Sequence, residues 1–301
     1  MTIFETLSAI ISKFRFKACE LLKTKGHGIS IIVPFHSSDP TNQRAKNWKW
    51  LHKYWRKQLP GAEVIIGADH EAGKNGKAFS KSCAVNEGVS RSNGDILVIV
   101  DADGYIPVES ILYCAEEIRE ARARNKRLWF IPYRQFYRLT EEASQKVLQS
   151  KPSHPYSFGK RPDVDDVLNM AQFNGTSGSA IGHWYGALIQ VMPWEAFEMV
   201  GGWDPRFRGW GGEDHAAMRA MDTLYWPHKT LPTPVYHIWH PFKNVTSGNP
   251  AKGKNRLWEN QGENSNNDTL SHRYYYSQGH WSRMRKLVDE WKKPSDNKLA
   301  K

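Results

Sequence analysis

The chain has 301 residues, of which 40% are hydrophobic, enough for one large α/β domain with appendages or two small domains. Its three cysteines are too few and too scattered for a disulfide framework or a cysteine-rich zinc site, which predicts a reducing, cytoplasmic compartment. No stretch approaches the about 20 apolar residues that cross a bilayer, so no transmembrane segment is predicted. The net charge of +11 permits an acidic partner: nucleic acid, an anionic membrane surface or a phosphorylated donor.

The N-terminal segment, residues 1–25, is predicted to be an amphipathic helix. Apolar side chains recur at spacings of three and four through residues 3–22, and basic side chains lie on or near the other side. Such a helix either packs on its own domain or makes peripheral contact with a membrane. The Gly26-His27-Gly28 run then breaks it.

Short apolar runs and helical segments alternate through the next hundred residues. This β-α-β order predicts a mostly parallel sheet of Rossmann type, with no glycine-rich dinucleotide fingerprint after its first strand. Beyond it we predict a helical stretch and loop over 139–180, a polar loop over 244–268 and a basic, aromatic helix over 274–293. The predicted strands are 29–33, 63–66, 96–100 and 128–131, and the predicted helices are 42–59, 78–91 and 108–124.

Two carboxylates, Asp101 and Asp103, emerge where the buried strand 96–100 ends. In open α/β sheets ligands bind at the carboxyl ends of the strands. An acidic pair at that edge suits a divalent cation that also holds phosphate oxygens. Two solvated aspartates in a turn are the structural alternative.

A second acidic pair follows a segment rich in glycine and tryptophan, residues 201–212. Glu213 and Asp214 then open a predicted helix that ends at residue 224. Carboxylates are stabilised at a helix N-terminus, so capping is the structural alternative. A carboxylate beside a flexible loop that bears Trp210 also suits a general base accepting a hydroxyl proton in a dry site.

Two histidines, His237 and His240, follow a strand-like segment at a spacing of three. They are either structural histidines or ligands of one cation. Beside the Asp101–Asp103 pair, imidazole and carboxylate ligands together favour Mn²⁺ over Ca²⁺. Lysines 74, 77 and 81 are candidates for phosphate contact, with solvated side chains as the alternative.

The order of these motifs resembles the GT-A-fold glycosyltransferases over residues 29–242. The motifs are Asp-x-Asp after a strand, Gly-Gly-Trp-Asp…Trp-Gly-Gly-Glu-Asp, and His-x-x-His. The pattern is nearest to the β-1,4-galactosyltransferase C-terminal motif, the polypeptide N-acetylgalactosaminyltransferases and the bacterial family-two enzymes. The resemblance implies a catalytic domain over 26–242, with a nucleotide-binding half (26–135) and an acceptor and catalytic half (136–242).

The resemblance also implies a reaction. A UDP-sugar would be the donor and Mn²⁺ (or Mg²⁺) the cofactor. Inversion is favoured, since the retaining N-acetylgalactosaminyltransferases have Asn where this chain has Asp214. Asp214 would be the base, Glu213 would hold sugar hydroxyls and Trp210 would line the donor–acceptor junction. Donor contacts would come from Pro34, Asp69, Asp101 and Asp103, and metal contacts from Asp103, His237, His240 and Asp101. Lys81, a candidate for phosphate contact on the residues alone, would lie on the donor side.

The acceptor stays open: a glycan, a protein or a small molecule. A modified base in DNA is an alternative that the charge of +11 and the basic, aromatic helix 274–293 motivate, and it predicts binding that weakens steeply with salt. A non-catalytic sugar- or nucleotide-binding module is the second alternative. The intact acids Asp101, Asp103, Glu213 and Asp214 argue against that module.

Overall fold

The computed structural model describes residues 25–37, 39–172, 188–209, 211–241 and 264–292. The predicted N-terminal helix of residues 3–22, Trp210 and most of the predicted polar loop lie outside these ranges. Within them the chain forms two β-sheets with helices packed around them, which confirms the predicted α/β class. In the described part of the chain, no helix combines the length and the apolar character that crossing a membrane requires.

Strands and helices alternate through the first half of the chain, as the sequence predicts. The elements in chain order are β1 (Ile29–Pro34), α1 (Gln43–Gln58), β2 (Glu63–Gly67), α2 (Lys81–Ser90), β3 (Ile96–Val100), β4 (Gly104–Tyr105), α3 (Val108–Ala123), β5 (Phe130–Ile131), β6 (Gln135–Leu139), α4 (Glu141–Gln149), β7 (Val167–Gln172), β8 (Ile189–Pro193), α5 (Trp194–Met199), α6 (Glu213–Leu224), β9 (Lys229–Thr230), β10 (Pro234–His237), α7 (Asn264–Ser277) and α8 (Trp281–Asp289). Single-turn 3₁₀ helices lie at Lys74–Gly76 and Val164–Asp166.

The main sheet has the strand order β2-β1-β3-β8-β5-β9. β1 is parallel to both β2 and β3, so the carboxyl ends of these three strands share one edge. The next strand, β8, is antiparallel to β3 and β5 and is wholly buried. The sheet is therefore parallel where the sequence analysis placed the nucleotide-binding half and mixed beyond it.

A second sheet, of order β4-β10-β6-β7, brings a distant segment to that edge. β4 begins directly after Asp103, and β10 pairs with it antiparallel so that His237 lies opposite Gly104. The backbone N–H of Ile238 donates to the carbonyl of Asp103 at 2.7 Å. This short pairing carries His237 and the chain beyond it to the acids that follow β3.

Two helices, α7 and α8, end the described chain, where the sequence analysis predicted one helix over 274–293. That prediction is wrong because the chain turns at Gly279, whose φ of +75° a glycine adopts without strain. The predicted polar loop over 244–268 also ends earlier, since α7 already begins at Asn264. Both helices pack on α6, and α7 contacts Gly212, where an added Cβ would collide with the hydroxyl oxygen of Ser271.

Candidate active site

Asp103, His237 and His240 form a tight cluster beyond the end of β3. One ligand atom from each lies within 4.8 Å of the other two. The Nε2 atoms of His237 and His240 lie 3.7 and 3.2 Å from the Asp103 carboxylate, which is almost wholly buried. One carboxylate oxygen and two imidazole nitrogens can hold a transition-metal ion.

Charge at this cluster is set by burial and by Arg44, whose guanidinium lies 3.3 Å from Asp103. Burial lowers the pKa of His237 to about 3, against the attraction of Asp103, so its imidazole is neutral at pH 7. Burial alone would raise the pKa of Asp103. The neighbouring imidazole of His237, the positive Arg44 and His240, which also donates a hydrogen bond, together outweigh that effect and hold the pKa of Asp103 well below its ordinary value. The cluster thus offers a carboxylate and a neutral imidazole.

Lys81 joins the two acidic motifs that the sequence separates by more than a hundred residues. Its Nζ lies 2.6 Å from Asp101 and 2.7 Å from Asp214, and only 13% of its side chain is exposed. Ser80 caps α2 by accepting from the N–H of Cys83, and this places Lys81 in the first turn, at the carboxyl edge of the sheet. Asp101 therefore faces Lys81, while Asp103, two residues later, faces the histidines.

Glu213 and Asp214 lie in the first turn of α6, and both are poorly solvated. Burial, with the neighbouring Glu213 and Asp101 adding to it against Lys81, raises the pKa of Asp214 to about 8. The pKa of Glu213 is also raised by burial, although it accepts hydrogen bonds from the backbone of Gly211 and from its own N–H. Its Oε2 atom is buried without a hydrogen-bond partner among the described residues. Helix capping thus accounts for some of the hydrogen bonds that Glu213 accepts, and for none of the contacts of Asp214.

The described residues 201–209 of this segment are held against α2 and the residue before its cap by hydrogen bonds to their backbone, which explains why the two acidic motifs meet. The hydroxyl of Ser80 donates to the carbonyl of Phe207 at 2.7 Å, and the N–H of Gly209 donates to the carbonyl of Phe79 at 2.9 Å. The side chain of Asn86 both accepts from and donates to the backbone of Trp203. The ring of Trp203 lies 5.5 Å from Lys81 Nζ. The loop is thereby fixed beside the lysine.

On the donor side of the predicted site, Pro34 ends β1 and is buried opposite Gly67. Asp69 follows β2, and its carboxylate accepts from the N–H of Ser80 at 2.8 Å and from Arg208 at 3.0 Å. Both residues therefore lie at the edge that also carries Asp101 and Lys81. Arg208 ties this edge to the segment 201–212.

The structure brings together all the described residues that the sequence analysis assigned to the site. It groups Asp103 with the histidines and Asp101 with Lys81, so Asp101 lies outside the three-residue cluster. Trp210 lies outside the described residues. Lys74 and Lys77 are exposed and pair with Glu71, at 3.5 and 3.0 Å.

Two arginines near the site were missed by the sequence analysis. Arg44 lies in the first turn of α1 and contacts Asp103, and Arg208 contacts Asp69. No sequence signal separates Arg44 from the many basic residues of its helix. Arg208 stands inside the glycine- and tryptophan-rich segment, where its position among small residues was a usable signal.

No protein-family model and no curated protein sequence matches this chain. Among solved structures it is similar to a mutant Drosophila β1,4-galactosyltransferase 7 in complex with manganese, UDP-Gal and xylobiose, and to the catalytic domain of that enzyme with xylobiose. For both, the TM-score is 0.33 and the identity 14%, over 68% of this chain and 64% of the other. A third is S. aureus TarS residues 1–349, with TM-score 0.39 and 14% identity over 69% and 60%. This chain thus spans less than two thirds of each, and glycosyltransferases are among its structural neighbours.

Proposed function

We propose that this chain is a metal-dependent, inverting glycosyltransferase of the GT-A type that moves a sugar from a UDP-sugar to an acceptor hydroxyl. The observation that carries the proposal is the meeting of two acidic motifs and two histidines at one sheet edge. The ion pairs of Lys81 with Asp101 and Asp214, at 2.6 and 2.7 Å, join the donor-side acid to the predicted base. The order of the same motifs along the sequence supports it independently.

The residues present fit the predicted cation. Metal ligands must be deprotonated, and Asp103 is held ionised while His237 is held neutral. Imidazole suits Mn²⁺ better than Ca²⁺, so the set of Asp103, His237 and His240 favours Mn²⁺, with Mg²⁺ second. When bound, the ion would neutralise the negative charge that develops on the leaving nucleoside diphosphate.

Lys81 supplies positive charge on the donor side from the protein itself. Its ammonium is buried between acids, and their attraction outweighs the effect of burial and keeps its pKa above its ordinary value. It is therefore charged at every physiological pH. A fixed, poorly solvated cation beside Asp101 is placed to attract phosphate oxygens and to orient them before the transfer step.

Asp214 is the residue best placed to accept the acceptor's proton. Its carboxylate is mostly buried, and its pKa of about 8 makes it a stronger base, once deprotonated, than a solvated carboxylate. Glu213 precedes it on the same helical turn and offers a buried oxygen, Oε2, that can accept a hydrogen bond from a sugar hydroxyl. In this arrangement Asp214 takes the proton as the hydroxyl attacks the anomeric carbon, and the diphosphate leaves from the opposite face.

A screen of nucleotide sugars for Mn²⁺-dependent hydrolysis tests the proposal, followed by acceptor screening with the best donor. The wild type should release nucleoside diphosphate only with the metal present. Asp103→Ala should abolish Mn²⁺-dependent UDP binding measured by calorimetry. Glu120→Ala, which removes an exposed carboxylate on α3 that pairs with Arg124, is the matched control and should bind UDP as the wild type does.

Two results would contradict the proposal. Unchanged Mn²⁺-dependent affinity in Asp103→Ala would remove this residue from the metal site. Metal-dependent UDP-sugar binding by the wild type without hydrolysis or transfer to any acceptor would favour the non-catalytic binding module.

A further inference from the structure

A band of exposed aromatic and basic side chains lies on the C-terminal helices, apart from the acids and histidines of the candidate active site. Tyr275, Tyr276 and Trp281 leave 57%, 67% and 58% of their surfaces exposed. Their neighbour Tyr274, by contrast, is 1% exposed and donates its hydroxyl to Asp204. Tyr274 packs in the core, whereas the rings of Tyr275, Tyr276 and Trp281 are exposed to water. Grouped aromatic rings at a surface indicate a binding face.

Basic side chains lie on and beside these rings. The guanidinium carbon of Arg219 lies 5.2 Å from the centre of the Tyr275 ring, and that of Arg285 lies 5.7 Å from the centre of the Trp281 ring. Both distances are those of cation–π contacts. Two further cations on α8, Arg283 and Lys286, are exposed. We call the whole set the aromatic–basic face: Arg219, Tyr275, Tyr276, Trp281, Arg283, Arg285 and Lys286.

Arg283 and Lys286 give the face charge that the fold does not neutralise. Both are exposed, and neither forms an ion pair within the described ranges. Arg283 donates one hydrogen bond, to the backbone carbonyl of Tyr276 at 2.8 Å, which holds its guanidinium at the C-terminal end of α7. Other guanidiniums of these helices, such as Arg273 with Glu290, are paired with carboxylates.

The face lies close to the predicted catalytic acids. α6 begins with Glu213 and Asp214 and carries Arg219 about 8 Å further along its axis, at 1.5 Å per residue. α7 touches Gly212, the residue before those acids, through Ser271, and Tyr275 lies one helical turn beyond Ser271. A polymer bound to the face therefore lies close to Glu213 and Asp214.

We propose that the aromatic–basic face binds single-stranded nucleic acid and that the acceptor hydroxyl reaches the site on that strand; the second part rests on the proposed function. Aromatic rings stack on bases of any sequence, and neighbouring cations contact the phosphates. Charge decides against a neutral glycan, which also stacks on aromatic rings but gains nothing from Arg283 and Lys286. The net charge of +11 acts in the same direction.

Fluorescence anisotropy with a labelled oligothymidine of about 16 nucleotides measures this binding. The double variant Tyr276→Ala with Trp281→Ala should weaken it at least about tenfold, since each stacked base contributes about fivefold or more and the variant removes two stacking rings. Tyr113→Ala removes a tyrosine that is 50% exposed on α3, away from the face, and is the matched control. Its affinity should equal that of the wild type.

Salt dependence tests the charged half of the face. Replacing Arg283 and Lys286 with glutamine should reduce the slope of log affinity against log salt by about 1.4, or 0.7 for each lost phosphate contact. Lys53→Gln with Lys126→Gln makes the same change of net charge at exposed positions elsewhere, and should leave the slope nearly unchanged.

Several outcomes would overturn the inference. These are no oligonucleotide binding by the folded wild type at about 50 mM salt, undiminished binding by the aromatic double variant, or capture of a neutral oligosaccharide in place of DNA or RNA. Asp214→Asn separates this inference from the proposed function, because it should bind the oligonucleotide as the wild type does. Oligonucleotide binding without any turnover of UDP-sugars by the wild type would leave the face standing and refute the transferase.

Discussion

Replacing Lys81 with methionine should destabilise the fold, and more so at alkaline than at acidic pH. The ammonium lies 2.6 Å from Asp101 and 2.7 Å from Asp214, in a side chain that is 13% exposed. Each attraction is about 6 kcal/mol at those distances with an effective dielectric constant of about 20. Desolvation of the charges offsets much of it, and deleting one partner from such a buried cluster costs about 3–5 kcal/mol.

The pH dependence follows from which state holds more protons. Burial already raises the pKa values of Asp101, Glu213 and Asp214, and removing Lys81 moves them further above their unfolded values near 4. The folded variant then keeps protons that its unfolded chain releases, so its free energy of unfolding falls as pH rises. The deficit relative to wild type should be small near pH 5 and largest above the pKa of about 8 that Asp214 has in the wild type.

Urea unfolding at pH 5 and at a pH above about 8, followed by tryptophan fluorescence, measures the loss of unfolding free energy. Lys53→Met, an exposed lysine on α1, is the matched control and should change the free energy of unfolding by less than about 0.5 kcal/mol. Lys81→Arg keeps the charge and should recover part of the loss. A Lys81→Met variant as stable as the wild type at alkaline pH, or equally impaired at both pH values, would refute Lys81 as the counter-charge of these acids.

Two further predictions concern the loop and the helix that follows it. Asp214→Asn should keep donor binding in calorimetry and lose transfer at least about 100-fold. In the wild type, kcat/KM should rise with pH through about 8 as Asp214 deprotonates. A rate profile without that rise would assign the base to another group. Gly212→Ala should lower the free energy of unfolding more than Gly76→Ala does, because both residues have positive φ (+92° and +72°) but only an added Cβ at Gly212 meets Ser271. Adding Ser271→Ala to Gly212→Ala should remove the extra loss of unfolding free energy, because the colliding hydroxyl is gone. Equal losses for the two glycine variants in urea unfolding would contradict this packing.

The catalytic motifs were predictable because each is a local pattern. Asp101 and Asp103 follow a run of five buried apolar residues, so their place at a strand end could be predicted from the sequence alone. Glu213 opens its helix directly after two glycines, and His237 ends a short strand. Periodicity and turn residues act over a few positions, which is the range that a single sequence reports.

Features that depend on a choice among equivalent residues could not be predicted. Arg44 is one of several basic residues on α1, and only the docking of that helix decides that it meets Asp103. Tyr274, Tyr275 and Tyr276 are chemically identical, and the 100° turn between successive helical residues puts the first in the core and the others in water. The turn at Gly279, by contrast, could have been predicted from the sequence, since glycine commonly ends helices.

The sequence by itself determined the α/β class, the order of the first strands and the acids at the end of β3, because these follow from hydrophobic periodicity along the chain. Tertiary structure alone decided that Lys81 lies between Asp101 and Asp214, residues 20 and 133 positions away. It also decided that a short pairing of β4 with β10 sets His237 beside Asp103. Long-range contacts of this kind depend on how sheets and helices pack, a property of the whole chain that no local pattern encodes.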